Sequence, residues 1–150
     1  MKNILIPHKG LNELTLYSCF DDVTRYLDEN KVSYRIDVQD NGECTVKYNW
    51  RIVVVNDSIK LFFLEGNLKL FKISVENSNE VKLPNGICVG MDIEDALRID
   101  AKLEYNDWDE IYESGNDYYL EDSLETGLVV SINVYIKEMD LDDFDLCQWY

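Results

Sequence analysis

The chain has 150 residues and carries 14 Lys and Arg against 30 Asp and Glu, a formal net charge of −16 at pH 7. That length suits one domain able to bury about 70% of the surface its unfolded chain exposes. Hydrophobic residues make up 46%, with ten Tyr, five Phe and three Trp, so there is material for a core and disorder is excluded despite the charge. The acidity excludes a nucleic-acid binder of the usual kind, because phosphate contacts need clustered Lys and Arg. An anionic membrane surface would repel the chain for the same reason.

In chain order, the apolar run before Pro7 is too short for a signal-peptide core, and no stretch reaches the roughly 18 apolar residues of a membrane span. Ser18 is a plausible N-cap for a helix with Asp21 and Asp22 in its first turn, and Phe20, Val23, Tyr26 and Leu27 recur at helical spacing. Alternation at Tyr34–Val38 predicts a strand, the stretch from Asp40 to Glu43 a turn, and Cys44–Tyr48 a second strand. The β-branched and aromatic runs Arg51–Val55 and Lys60–Leu64 flank the turn residues Asn56, Asp57 and Ser58. Glu65, Gly66 and Asn67 turn the chain into a strand over Leu68–Val75, and the polar stretch Asn77–Asn85, with Pro84, reads as a connector.

The second half begins like the first. Asp92 is a good N-cap, and Ile93-Glu94-Asp95-Ala96-Leu97-Arg98 matches Phe20-Asp21-Asp22-Val23-Thr24-Arg25 position by position. Leu64-Glu65-Gly66 before Ile73-Ser74-Val75 resembles Leu124-Glu125-Thr126-Gly127 before Ile132-Asn133-Val134. These matches predict a single domain over residues 1–150 with a weak internal repeat, 14–76 and 87–138, and an acidic tail at 139–150. Two acidic helix starts can also resemble one another by chance. The expected fold is α+β: an antiparallel sheet with helices on one face, built from two diverged helix-plus-antiparallel-strand units. Cys19, Cys44, Cys88 and Cys147 form no CxxC pair and read as free thiols of a cytosolic protein.

The charge is concentrated. Residues 1–89 hold 12 acidic and 11 basic residues, whereas residues 90–150 hold 18 acidic residues and three basic ones, Arg98, Lys102 and Lys137. A field gathered in one part of a molecule steers a charged partner; the plainer alternative is a solvated face plus an acidic tail. The densest segment runs from Leu103 to Asp122. It mixes aromatics with carboxylates, as interfaces with basic partners do. Asp107, Trp108, Asp109, Glu110, Tyr112, Glu113, Asp117, Tyr118, Glu121 and Asp122 are the candidate partner-binding residues. Against that stands the reading that the aromatics are core and the acids merely their solvent-facing neighbours. Trp108, ringed by acids, is the residue for which exposure is most expected.

Other chemistry finds less support. Asp107–Tyr112 lacks the oxygen ligand at the fifth position and the Gly at the sixth that a calcium loop requires, and the tail lacks the Gly too. The single histidine, His8, would have to serve any Ser-His-Asp or Cys-His arrangement. HExxH, P-loop, GxGxxG and GxSxG patterns are absent. Thirty acids make carboxylate pairs of the glycosidase kind too easy to find to mean anything. The expectation is therefore a protein that is not an enzyme, with no cofactor and no metal.

The segments Gly90–Ala96, Ile99-Asp100, Leu103–Glu110, Tyr118–Glu121, Glu125–Gly127 and Ile132–Ile136 together resemble small immunity proteins of bacterial polymorphic-toxin systems, the contact-dependent growth inhibition class above all. The resemblance covers residues 86–138, with the first half matching as a diverged copy. It implies a stoichiometric inhibitor whose partner is a cognate toxin C-terminal domain, basic because many such toxins are nucleases. It implies no direct nucleic-acid or membrane contact. Two rivals share the charge: a DNA mimic that blocks a DNA-binding enzyme, and a carboxylate-based hydrolase.

Overall fold

The computed structural model describes residues 3–40, 49–64, 68–115 and 117–140. Three two-residue strands come first: β1 (Leu5–Ile6), β2 (Gly10–Leu11) and β3 (Leu14–Thr15), paired antiparallel in that order. Periodicity could not foresee them, because two residues show no alternation. Their tight winding rests on Gly10, at φ +134°, where a Cβ would stand 2.2 Å from the Leu14 carbonyl oxygen. Leu5, Leu11 and Leu14 are buried in the core of the whole molecule.

The predicted first helix is α1 (Phe20–Glu29), which buries Phe20, Val23 and Leu27. Its N-cap is Cys19 rather than Ser18, and no side chain caps it. The Ser18 hydroxyl instead lies 2.7 Å from that of Thr15. The helix start is held by main-chain bonds, Phe20 N–H to the Leu68 carbonyl and Leu70 N–H to the Ser18 carbonyl. Strands β4 (Tyr34–Asp40), β5 (Asn49–Val55), β6 (Ile59–Leu64) and β7 (Leu70–Glu76) follow as an antiparallel meander. Asn56 and Asp57 both take positive φ, as a two-residue hairpin turn demands. The turn and strand expected across 41–48, and the turn at 65–67, lie outside the described residues.

The connector is less loose than its polarity suggests, since Val81 and Leu83 are buried. Beyond it, α2 (Ile93–Ile99) is capped as expected, the Asp92 carboxylate accepting from the Glu94 N–H at 2.9 Å. A second meander then runs through β8 (Leu103–Asn106), β9 (Ile111–Ser114), β10 (Tyr118–Asp122) and β11 (Val129–Tyr135). A 3-10 turn at Lys137–Asp140 follows. All eight meander strands share one antiparallel sheet, in the order β4-β5-β6-β7-β11-β10-β9-β8.

The two halves repeat one another bond by bond. The Phe20–Leu68 and Leu70–Ser18 bonds recur as Ile93 N–H to the Gly127 carbonyl and Val129 N–H to the Met91 carbonyl. Leu68 N–H to Leu64 recurs as Gly127 N–H to Ser123, and the positive φ of Tyr17 and Leu68 recurs at Gly90 and Gly127. The ladder irregularity after Phe62 has its twin after Glu121. Leu64 therefore corresponds to Ser123, one residue before the Leu124 suggested by sequence matching. At the seam, β7 and β11 pair antiparallel with Ser74 opposite Asn133 and Val75 opposite Ile132. The pattern reads the same from either strand, so a pseudo-twofold axis passes between Ser74 and Asn133.

Register sorts the sheet into two faces. One carries Val53, Val55, Leu61, Phe63, Ile73, Val75, Leu120, Ile132 and Val134, all buried. Both helices cover it: Phe20 meets Phe63 edge-on with ring centroids 5.3 Å apart, and Asp100 at the end of α2 is bonded by Ser114 and Tyr118. The α+β class, with helices on one face of an antiparallel sheet, is thus observed. The opposite face of the second unit carries Glu104, Asn106, Ile111, Glu113, Tyr119 and Glu121.

Candidate protein interaction surface

The acidic segment folds as the last hairpin of the sheet. β8 pairs with β9 alone, so the hairpin forms the outer edge of the second unit. Its tip is Asp107-Trp108-Asp109-Glu110, all four exposed, with Trp108 retaining 93% of its accessible surface. Asn106 folds the tip: its side-chain oxygen accepts from the N–H groups of Trp108 (3.0 Å) and Asp109 (3.2 Å). Glu110 closes the turn at φ +58°. The bland alternative, an aromatic turned into the core, does not hold for Trp108.

Alternation splits the remaining candidates between the two faces. Glu113 and Glu121 stand on the open face with Tyr119 between them. Together with Asp109, Ile111, Tyr135 and Met139 they line a groove of about 430 Å³. Neutral donors orient all three carboxylates. The Asn106 amide donates to Asp109 and Glu113, at 3.2 Å each, and the Ser131 hydroxyl donates to Glu121 at 2.6 Å. Ser131 in turn accepts from Asn133 at 2.9 Å, and both residues are buried at the sheet centre. Tyr112 points to the helix-covered side, 4.9 Å from Tyr105 between ring centroids. Burial, then the charge of Asp122, holds the Tyr112 phenol above its usual range; burial, then Glu110, Asp107 and Asp122, does the same for Tyr105. Asp117 stands apart at the β9–β10 turn, bridging Lys102 at 3.3 Å and His8 at 3.7 Å.

Tyr118 is a correction. It is 4% exposed and offers no surface to a partner, because its strand position points into the helix-covered core. Its hydroxyl donates to Asp100 at 2.6 Å and accepts from the Asn85 amide at 3.2 Å. The Asp100 carboxylate, 9% exposed, also accepts from the Ser114 hydroxyl at 2.5 Å and the Lys102 N–H at 2.9 Å. Burial pushes the Asp100 carboxyl up, but those bonds and the Lys102 charge outweigh it, and the group lies below the usual carboxylate range. The Tyr118 phenol is pushed up to about 12, by burial first and then by the bond to Asp100. In the first unit the corresponding positions hold Leu27, Val55 and Ile59, so only the second unit carries this buried polar cluster.

These shifts fix the alkaline behaviour. A phenol whose folded pKa lies above its ordinary value of about 10 contributes stability that is whole below pH 10 and lost as pH rises toward 12. Tyr17, donating to Glu138 at 2.5 Å, is also pushed up to about 12, by burial and then by that bond. Urea melts should therefore show stability falling between about pH 10 and 12, and less steeply once Tyr118→Phe and Tyr17→Phe are combined. An equal fall in that double variant would refute the assignment.

Among the described residues, no ion pair involves Asp107, Asp109, Glu110, Glu113, Glu121 or Asp122. No group of three or more His, Cys, Asp or Glu among them is arranged to hold a metal ion, and no helix among them is long and apolar enough to cross a membrane. No protein family, no curated protein and no solved structure matches the chain. The surface stands on its own chemistry. The segment's acids were visible in sequence, but Ser131, Asn133 and Met139 were not, since nothing local marks residues that reach a groove from other strands. Asn106, set before a tight acidic turn, did carry a readable signal.

Proposed function

We propose that the protein is an immunity protein, a cytoplasmic stoichiometric inhibitor of a basic toxin domain of nuclease type. The observation that carries this reading is Trp108, almost wholly exposed on a hairpin tip ringed by Asp107, Asp109 and Glu110. An exposed Trp is a costly surface residue for a monomer and a favoured anchor in an interface. Its neighbours suit a surface made to hold phosphate: carboxylates take the place of the nucleic-acid backbone. The 18 acidic against three basic residues after position 89 supply the long-range attraction. The resemblance of residues 86–138 to contact-dependent growth inhibition immunity proteins points the same way.

The test is capture of partners by the tagged protein from its native host, at low and then moderate salt, with masses identified. A single basic toxin domain that survives moderate salt supports the proposal. Recovery of assorted DNA-binding enzymes that duplex DNA displaces would replace it with DNA mimicry. Asp109→Lys and Glu110→Lys should each slow association with the captured toxin by about tenfold at low salt while leaving thermal unfolding unchanged. Unchanged association for both would remove the hairpin from the interface.

A further inference from the structure

We infer that the groove on the open face of the second unit is a socket for one arginine side chain of the basic partner. This inference rests on the reading above and deepens it from a charged surface to a defined subsite. The groove combines what a guanidinium needs. Tyr119 and Tyr135 lie nearly parallel, at 29° with centroids 6.0 Å apart, offering flat aromatic surface beside Ile111 and Met139 for the planar group and its aliphatic stem. Asp109, Glu113 and Glu121 supply carboxylates, each already oriented by Asn106 or Ser131 rather than by a cation of this chain. A lysine would use the charge but not the flat surface, so arginine is the better fit.

The duplicated scaffold supplies an internal comparison. Where the second unit places Glu113 and Glu121, the corresponding positions of the first unit are Val54 and Phe62, and opposite Glu104 stands Arg35. The first unit builds the same four-stranded meander without these carboxylates, so the fold does not require them. The first unit also spends its open-face cations internally: Arg35 bridges Asp37 and Asp57, Lys60 bridges Glu76, and Lys72 donates to the Tyr119 hydroxyl at 2.9 Å. The groove carboxylates make no such pair among the described residues. Charge complementarity therefore selects a cation from outside the chain.

The experiment titrates the full-length protein with acetyl-arginine amide, with acetyl-citrulline amide as the uncharged isostere, following the methyl signals of Ile111 and Met139 by NMR. Saturable shifts with the arginine compound alone, weakened about tenfold or more by Glu113→Gln combined with Glu121→Gln, are expected. Equal shifts with citrulline, or shifts indifferent to the double substitution in a protein whose melting is unchanged, would overturn the socket. The same pair of substitutions separates this inference from the proposed function. A captured toxin that loses affinity with Trp108→Ala but not with the Gln pair leaves the immunity reading standing and removes the socket. Saturable arginine binding in a protein that captures no basic partner keeps the socket and removes the immunity reading.

Discussion

Replacing Asp100 by alanine should destabilise the fold by about 3 kcal/mol, more than any surface substitution in this protein. The carboxylate is the shared acceptor for the Ser114 and Tyr118 hydroxyls and the Lys102 N–H. Its removal strands the Ser114 hydroxyl, which is wholly buried, and takes from Tyr118 its acceptor, leaving only the bond from Asn85. An unpaired buried donor costs about 1–3 kcal/mol, and the vacated volume adds a cavity term. The triple substitution Asp100→Leu, Ser114→Val and Tyr118→Ile should cost less than Asp100→Ala alone, because it installs the apolar set that the first unit carries as Leu27, Val55 and Ile59. Such non-additivity is expected where a polar network is removed whole rather than broken. Urea melts of the two variants decide the matter. A triple variant less stable than Asp100→Ala would show that the cluster stabilises the second unit by more than its internal bonds.

The second large effect belongs to Trp108. Trp108→Ala should leave the free protein's stability within about 0.5 kcal/mol of its parent, because the side chain touches almost nothing in the unbound chain. Affinity for the captured toxin should fall by about 2–4 kcal/mol, a loss of roughly 30- to 1000-fold, as central aromatic anchors do. The loss should appear in the dissociation rate and be nearly independent of salt. The carboxylate variants at Asp109 and Glu110 should instead act on association and lose their effect as salt rises. Surface plasmon resonance at two salt concentrations distinguishes the two. Unchanged dissociation for Trp108→Ala would place the anchor elsewhere.

Much of the fold was legible because its signals are local. The period-2 runs Tyr34–Val38, Arg51–Val55 and Lys60–Leu64 lie within β4, β5 and β6, and Asp92 caps α2 as its residue type and the acids behind it imply. The match between Phe20–Arg25 and Ile93–Arg98 marked two helix starts that bury corresponding residues, Phe20 with Ile93 and Val23 with Ala96. Ser18 misled because its capping propensity competed with a strand-like pairing of its own main chain to Leu70, a long-range contact no local pattern reveals. Composition also carried the charge asymmetry and, with it, the sign of any partner.

What the sequence by itself determined, then, is the α+β class, the helix starts, most strand positions in the first unit and the acidic character of residues 103–122. Tertiary structure decided which of those acids and aromatics share a surface. Side chains alternate across a strand, so a one-residue difference in register sends Tyr118 into the core and Tyr119 to the open face. The joining of β7 to β11 brings Ser131, Asn133 and Tyr135 to the groove beside Glu113 and Glu121. Composition scores all of these residues alike. Only the pairing of distant strands separates a buried polar cluster at Asp100 from an open carboxylate groove on the other side of the same sheet.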